Sequence, residues 1–376
     1  MTTLTNATLV LPDEVIRGHI VLEDGRIVAI GEGDARGEDI EGDIIVPGLI
    51  ELHTDHLETH VAPRPKVRWN VTAAIQAHDA QIAASGITTV LDALRVGLDA
   101  DADISSQDSR NFADAITSAQ NEGRLRAEHH FHLRCEVSDE MAVSGFELFN
   151  DVPEVRLISL MDHTPGQRQF RSLEAYRIYF QGKSGMSDPE FELFQAERRA
   201  RAAIWSDKNR KALAERARGR GVIIASHDDA TTEHVDEAIR DGVTLAEFPT
   251  TVEAAAASRE AGMQILMGGP NLVRGGSHSG NVSAGELADK GMLDILSSDY
   301  VPFSMLQSAF VLSDREGWSL PAAVATVTAN PARALDMPDR GILVEGLRGD
   351  IVRVRRTGAG EIPVVRSVWR AGDRVL

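Results

Sequence analysis

The sequence predicts an α/β fold: a (β/α)8 barrel with a small β domain built from both ends of the chain. Three observations carry that prediction. Between residues 47 and 337 short apolar runs alternate with helical text, as parallel strands alternate with their crossover helices. Both ends are written instead as short alternating runs broken by Asp-Gly and Gly turns. Along Glu128–Glu136 a two-residue period separates Phe131, Leu133 and Cys135 from Glu128, His130, His132, Arg134 and Glu136. The apolar face suits packing against helices, so the polar face must line the barrel interior, where branched aliphatics are the rule.

In chain order, residues 1–46 hold ATLVL, HIVLEDGRIVAIG and DIIVP, and residues 338–376 hold GDIVRVRRTG and VVRSVWRAGDRVL. These segments are expected to pair into one small β-sandwich domain beside a catalytic barrel of residues 47–337. Barrel strands are expected at Leu49–His53, Ile87–Asp92, Glu128–Glu136, Val155–His163, Val222–His227, Val243–Phe248, Met263–Gly268 and Leu293–Asp299. Between them NVTAAIQAHDAQIAAS and PEFELFQAERRARAAIWSDKNRKALAERARGR read as helices.

A chain of 376 residues accommodates one barrel plus an appended domain, and 43% hydrophobic content is ample for its core. Lys and Arg number 39 against 57 Asp and Glu, a formal charge of −18. That balance opposes nonspecific binding to nucleic acid or an anionic membrane, and an anionic substrate would need a local basic pocket. The single cysteine, Cys135, excludes an intramolecular disulfide and fits a reducing compartment. The first residues lack the basic-then-apolar order of a signal peptide, and no apolar run approaches the roughly 20 residues of a membrane span. A cytoplasmic protein with a small-molecule partner is expected, with homodimerisation left open.

Histidines and carboxylates stand where the hydrophobic runs stop: His53 and Asp55, Glu136, His163, His227 and Asp299. Gathered at the same ends of parallel strands, they would form an open site for one or two divalent ions, with a carboxylate such as Glu136 bridging a pair. Such ligands suit zinc, manganese or iron. Two ions about 3.5–4 Å apart lower the pKa of water and clamp phosphoryl oxygens.

Cations follow the same strand ends. Arg64 and Lys66 stand in Pro63-Arg64-Pro65-Lys66, Arg168 in TPGQRQF and Lys183 in QGKSG. Arg274 introduces Gly275-Gly276-Ser277-His278-Ser279-Gly280, where glycines would let backbone N–H groups, with Ser277 and His278, approach oxyanions. Gly182-Lys183-Ser184 imitates the end of a nucleotide loop, but Arg177 stands where that motif needs glycine. His56 and His60 could line the mouth of the site. His78 and Asp79 fall on a helix, where packing explains them as well as chemistry does, and His129 carries no signal.

ELHTD after PGLI resembles the opening strand of the amidohydrolase superfamily. The runs MDHTPGQRQF, ASHDDAT, AEFPTT, GGPNLVRGGSHSGN and DILSSDY resemble more narrowly the PhnM family, the α-D-ribose 1-methylphosphonate 5-triphosphate diphosphatases of phosphonate catabolism. The resemblance implies hydrolysis between the α and β phosphates, releasing pyrophosphate, with Asp299 as general base. Most amidohydrolases take two single histidine ligands from strands five and six. The strand count here puts His163 on four and His227 on five, so either a strand has been split or the spacing differs, with Glu247 on the sixth as reserve ligand. The competing readings are an amidohydrolase acting on a cyclic amide or an aminated base, and an inactive barrel kept as a scaffold.

Overall fold

In the computed structural model, which describes residues 1–64, 66–97, 104–168, 177, 181, 186–277 and 280–376, eight parallel strands pair in sequence order. They are Leu49–Thr54, Ile87–Val96, Glu128–Glu136, Val155–Met161, Ile223–His227, Leu245–Glu247, Gln264–Gly268 and Ile295–Ser297. The ring closes through a parallel bridge between Thr54 and Asp299, where the Asp299 N–H donates to the His53 carbonyl at 3.0 Å. All eight expected strands are present, so no strand was split. The odd spacing of His163 and His227 belongs to the chain itself.

The turn into the first strand shows how locally this is enforced. A Cβ at Gly48 would lie 2.2 Å from the Thr88 hydroxyl oxygen, so the Pro-Gly entry lets the first strand lie against the second. The helix Val71–Ala84 follows, with the Asn70 side chain accepting the Ala73 N–H at its start. It buries Ala74, Ile75, His78, Asp79, Ile82 and Ala83, a polar pair on an otherwise apolar face. The long helix Asp188–Gly219 opens with Pro at its start and a reciprocal cap between Ser187 and Glu190. Arg216 and Arg218 in its last turn suit the negative end of its dipole.

Both termini meet in one mostly antiparallel sheet, in which Thr2–Val10 pairs in parallel with Ile44–Pro47. Strand Ile44–Pro47 pairs antiparallel with Ile351–Arg355, joining the N-terminal hairpins to the C-terminal ones edge to edge. The sandwich expected of these segments is therefore one continuous hydrogen-bonded sheet with its own core of Leu4, Leu9, Ile20, Leu22, Ile351 and Trp369. Arg353 and Arg355 both bind Asp43, tying the last strands to the first segment. Among the described residues no helix is long and apolar enough to cross a membrane.

Candidate metal centre

A cleft opens beside the strand ends. His53, His163, His227 and Asp299 all line it, with Arg134, Arg274, Phe248, Ser277 and Tyr300. Four residues from distant parts of the chain thus share one wall, each just at or past the end of a barrel strand. The His53 and His227 rings lie 5.8 Å apart, and His163 lies 5.7 Å from His227.

The backbone at these ends is unusual. Asp228, Phe248 and Asp299 have φ of 56°, 53° and 54°, left-handed values that cost a non-glycine residue about 1–3 kcal/mol each. At all three the N–H still donates to a neighbouring strand: Asp228 to the Glu247 carbonyl, Phe248 to the Leu266 carbonyl and Asp299 to the His53 carbonyl. The ladder therefore continues while the chain turns, and His227, Glu247 and Asp299 are held at the rim.

Buried carboxylates stand behind the imidazoles. His53 Nδ1 donates to Glu247 Oε1 at 2.8 Å, and His227 Nδ1 donates to Glu247 Oε2 at 2.8 Å. The Ser159 hydroxyl donates to Glu247 Oε2 at 2.6 Å. His163 Nδ1 donates to Glu136 Oε2 at 2.6 Å, while Glu136 Oε1 accepts the Ser138 hydroxyl and the His163 backbone N–H. With Nδ1 protonated toward a carboxylate, each ring keeps a lone pair on Nε2, the arrangement found when histidine ligates a metal. Burial alone would lift these carboxylates. Against it the neighbouring imidazoles hold Glu247 well below the usual range and Glu136 at about 2. His53 and His163 are raised in turn: burial pushes them down, but the charges of Glu247 and Glu136 more than offset it.

Asp299 behaves oppositely. Enclosure raises its carboxyl to about 6, with the Asp55 carboxylate adding to the shift against His53. Asp55 itself accepts from Arg134 Nη1 at 3.0 Å. Arg134 lies on the third strand and lines the cleft, so the polar face read from the alternation delivers a cation to the site. On the same strand His132 Nδ1 donates to the Leu52 carbonyl at 2.9 Å, and burial depresses it to about 3, leaving it neutral. Glu51, fully buried and raised to about 7 by that burial, accepts the backbone N–H groups of His53 and Ser298 and so joins the first strand to the chain after the eighth.

The expected phosphate-binding cations separate. Arg274 and Ser277 line the cleft. Arg64 and Lys66 are exposed and are not among its lining residues. Arg168 is buried, pairs with Asp229 and donates to Glu237 at 2.6 Å, so it turns into the fold and not into the cleft. Lys183 and His278 lie outside the described residues. Asp55, Glu136 (read from the sequence as a bridging ligand) and Glu247 (read as the reserve one) do not line the cleft, and the oxygens of Glu136 and Glu247 accept hydrogen bonds from histidines. The sequence reading placed Arg134 on the interior face without giving it a site role, and it missed Glu51 and Ser159. The period-two face of the third strand was the signal that could have singled out Arg134.

Ligand-type side chains converge here. His53, His132 and Glu247 form one group with ligand atoms within 4.8 Å of one another, and His163, His227 and Asp228 form another. Imidazoles backed by carboxylates, beside Asp228 and Asp299, fit a borderline divalent ion that displaces their protons.

Comparison with known proteins agrees with this architecture. The fold is similar to N-acetyl-D-glucosamine-6-phosphate deacetylase from Mycobacterium smegmatis, with a TM-score of 0.65 at 16% identity over 100% of both chains. It is also similar to dihydropyrimidinase from Brevibacillus agri NCHU1002, with a TM-score of 0.63 at 14% identity over 99% of this chain and 94% of that one. In sequence the chain is 48% identical to the alpha-D-ribose 1-methylphosphonate 5-triphosphate diphosphatase of Escherichia coli (strain K12), over 99% of this chain and 100% of the other. A model of the amidohydrolase family matches residues 71–376. The chain belongs to the amidohydrolase family, and within it to the same family as that diphosphatase.

Proposed function

We propose that this protein is a metal-dependent hydrolase that cleaves the α–β phosphoanhydride of α-D-ribose 1-methylphosphonate 5-triphosphate, yielding the 5-phosphate and pyrophosphate. One observation carries the reading: a single cleft gathers three carboxylate-backed imidazoles with Arg134 and Arg274, in a chain otherwise strongly acidic. The similarity along the whole chain to the diphosphatase supports it.

His53, Asp55, His163, His227 and Asp299 would hold the divalent ions, with Glu136 and Glu247 fixing ring tautomers. Bound there, the metal supplies a water of lowered pKa and stabilises charge on phosphoryl oxygen. Asp299 takes the proton of the attacking water, a role suited to a carboxyl raised toward neutrality by its enclosure. Arg274 and Ser277 bind the outer phosphates, and Arg134 sits closer to the imidazoles, where negative charge develops. Phe248 packs edge-on against both His53 and His227, at 5.2 and 5.4 Å between ring centres, and keeps solvent off that side. The water oxygen forms the new bond to phosphorus, the anhydride P–O bond breaks, and pyrophosphate leaves with the electron pair.

Incubating the metal-loaded protein with the ribosyl triphosphate tests this directly. Equimolar pyrophosphate and 5-phosphate are expected. Orthophosphate as the first product, or no turnover of the triphosphate beside ring opening of a cyclic amide, would overturn the assignment.

A further inference from the structure

We propose that Asp228 is itself a metal ligand: with His163 and His227 it forms a set of two imidazoles and one carboxylate for one borderline divalent cation. The inference rests on the reading of the cleft as metal-binding and adds a residue to the ligands named above.

In an extended strand successive side chains leave on opposite faces, so His227 and Asp228 should part. They do not. Asp228 has φ of 56°, and both side chains line the cleft. The Asp228 N–H still donates to the Glu247 carbonyl at 2.9 Å, which holds the turned residue on the ladder. Asp and Asn are enriched several-fold among non-glycine residues at such φ. The turn therefore suits the residue that it delivers to the cleft.

The carboxylate lacks a partner in the protein. Asp228 is 5% exposed, and its Oδ2 is buried with no hydrogen-bond partner among the described residues. The next residue, Asp229, has Arg168 as its counter-ion. Asp228 has only the His227 ring within ion-pair distance among the described residues. A buried carboxylate oxygen without a donor is costly, so the group calls for a cation. His227 Nε2 lies 3.3 Å from Asp228 Oδ2 without forming a hydrogen bond to it. Two ligands on one tetrahedral ion, with bonds of about 2.0–2.1 Å, stand about 3.3–3.4 Å apart, so the contact has the spacing of neighbouring ligands. One ligand atom from each of His163, His227 and Asp228 lies within 4.8 Å of the other two. His163 Nδ1 faces Glu136 and His227 Nδ1 faces Glu247, which leaves Nε2 of each ring for the ion. Two imidazoles and a carboxylate are the composition of a catalytic zinc site, with a position left open for water or a phosphoryl oxygen.

The full-length chain, stripped with a chelator, is titrated with cobalt(II), read by its visible absorption and by competition with a chromophoric chelator. Asp228→Asn is expected to bind one ion fewer than the wild type, or to bind that ion more than about 100-fold more weakly, since even the groups behind metal ligands are worth about 10–100-fold. Its absorption at saturating cobalt should differ from the wild type's, because the ligand set has changed. A charge that merely sits nearby would weaken binding and leave that spectrum as it was. The Tm of the metal-free variant should not fall, as Oδ2 has no hydrogen bond to lose. Equal affinity, or an unchanged spectrum at saturation, overturns the assignment while the cleft remains metal-binding. A wild type that takes up no cobalt overturns both readings. Should Asp228→Asn not fold, Asp228→Gly, which also accepts a positive φ, is read the same way and decides.

Discussion

Glu247→Gln isolates the carboxylate that the cleft is built upon. Glu247 accepts three hydrogen bonds at 2.6–2.8 Å, from His53, His227 and Ser159, and is 0% exposed. Glutamine keeps the shape but offers one oxygen, and its NH2 group faces a donor, so one imidazole loses its acceptor. A buried donor left unsatisfied costs about 1–3 kcal/mol, and breaking a buried ion pair about 3–5 kcal/mol. The loss should therefore be about 3 kcal/mol. At roughly 2 cal/mol/K per residue, the unfolding entropy of this chain is about 0.8 kcal/mol/K, and Tm falls by about 4 °C. The freed ring can also adopt the wrong tautomer, and zinc affinity should drop about 10–100-fold. Calorimetry of the metal-free protein and competitive zinc titration read the two effects separately. A lowered Tm with wild-type zinc affinity would refute the orienting role. An unchanged Tm would refute the burial argument.

Other substitutions probe separate parts of the molecule. Asp299→Asn should abolish pyrophosphate release. It should also raise the Tm of the metal-free protein by a few degrees at pH 8: the folded carboxyl is lifted from 3.8 to about 6, so its ionised form opposes folding by about 2–3 kcal/mol above pH 6. That advantage should vanish toward pH 4, and a wild-type kcat would exclude Asp299 as the base. Arg274→Ala should raise KM for the triphosphate about 10–100-fold with a smaller effect on kcat, the loss of a charge-assisted hydrogen bond; an unchanged KM would remove it from the binding site. His129, lowered by burial but raised by Asp92 and Asp79 to about 9 from 6.5, contributes stability that is complete below pH 6.5 and lost as pH rises through 9. Thermal scans of His129→Asn should show a deficit of about 3 kcal/mol at pH 6 that shrinks above pH 9, and a deficit constant to pH 10.5 would contradict the ion pairing.

His53, His163, His227 and Asp299 could be read as site residues because each follows an apolar run. In a parallel sheet every such run is a strand and every strand end is the same rim. The two-residue period of Glu128–Glu136 likewise announced a polar interior, and Arg134 and His132 occupy it. Periodicity reports the face from which a side chain leaves its own element, and that much is local.

Which partner a side chain meets is not local. Arg168 and Arg274 look alike as loop cations, yet Arg168 turns inward because Asp229 and Glu237 arrive beside it from other elements. Glu247 read as a spare ligand; closing the ring brings His53 from the first strand and His227 from the fifth onto its two oxygens. His129 gave no signal until the helix Val71–Ala84 set Asp79 against it and the second strand set Asp92. The sequence by itself determined the barrel, its rim and the chemistry of the side chains at that rim. Only the tertiary structure decided which nitrogens face carboxylates and which face the cleft, because strand stagger and ring closure set distances between residues far apart in the chain.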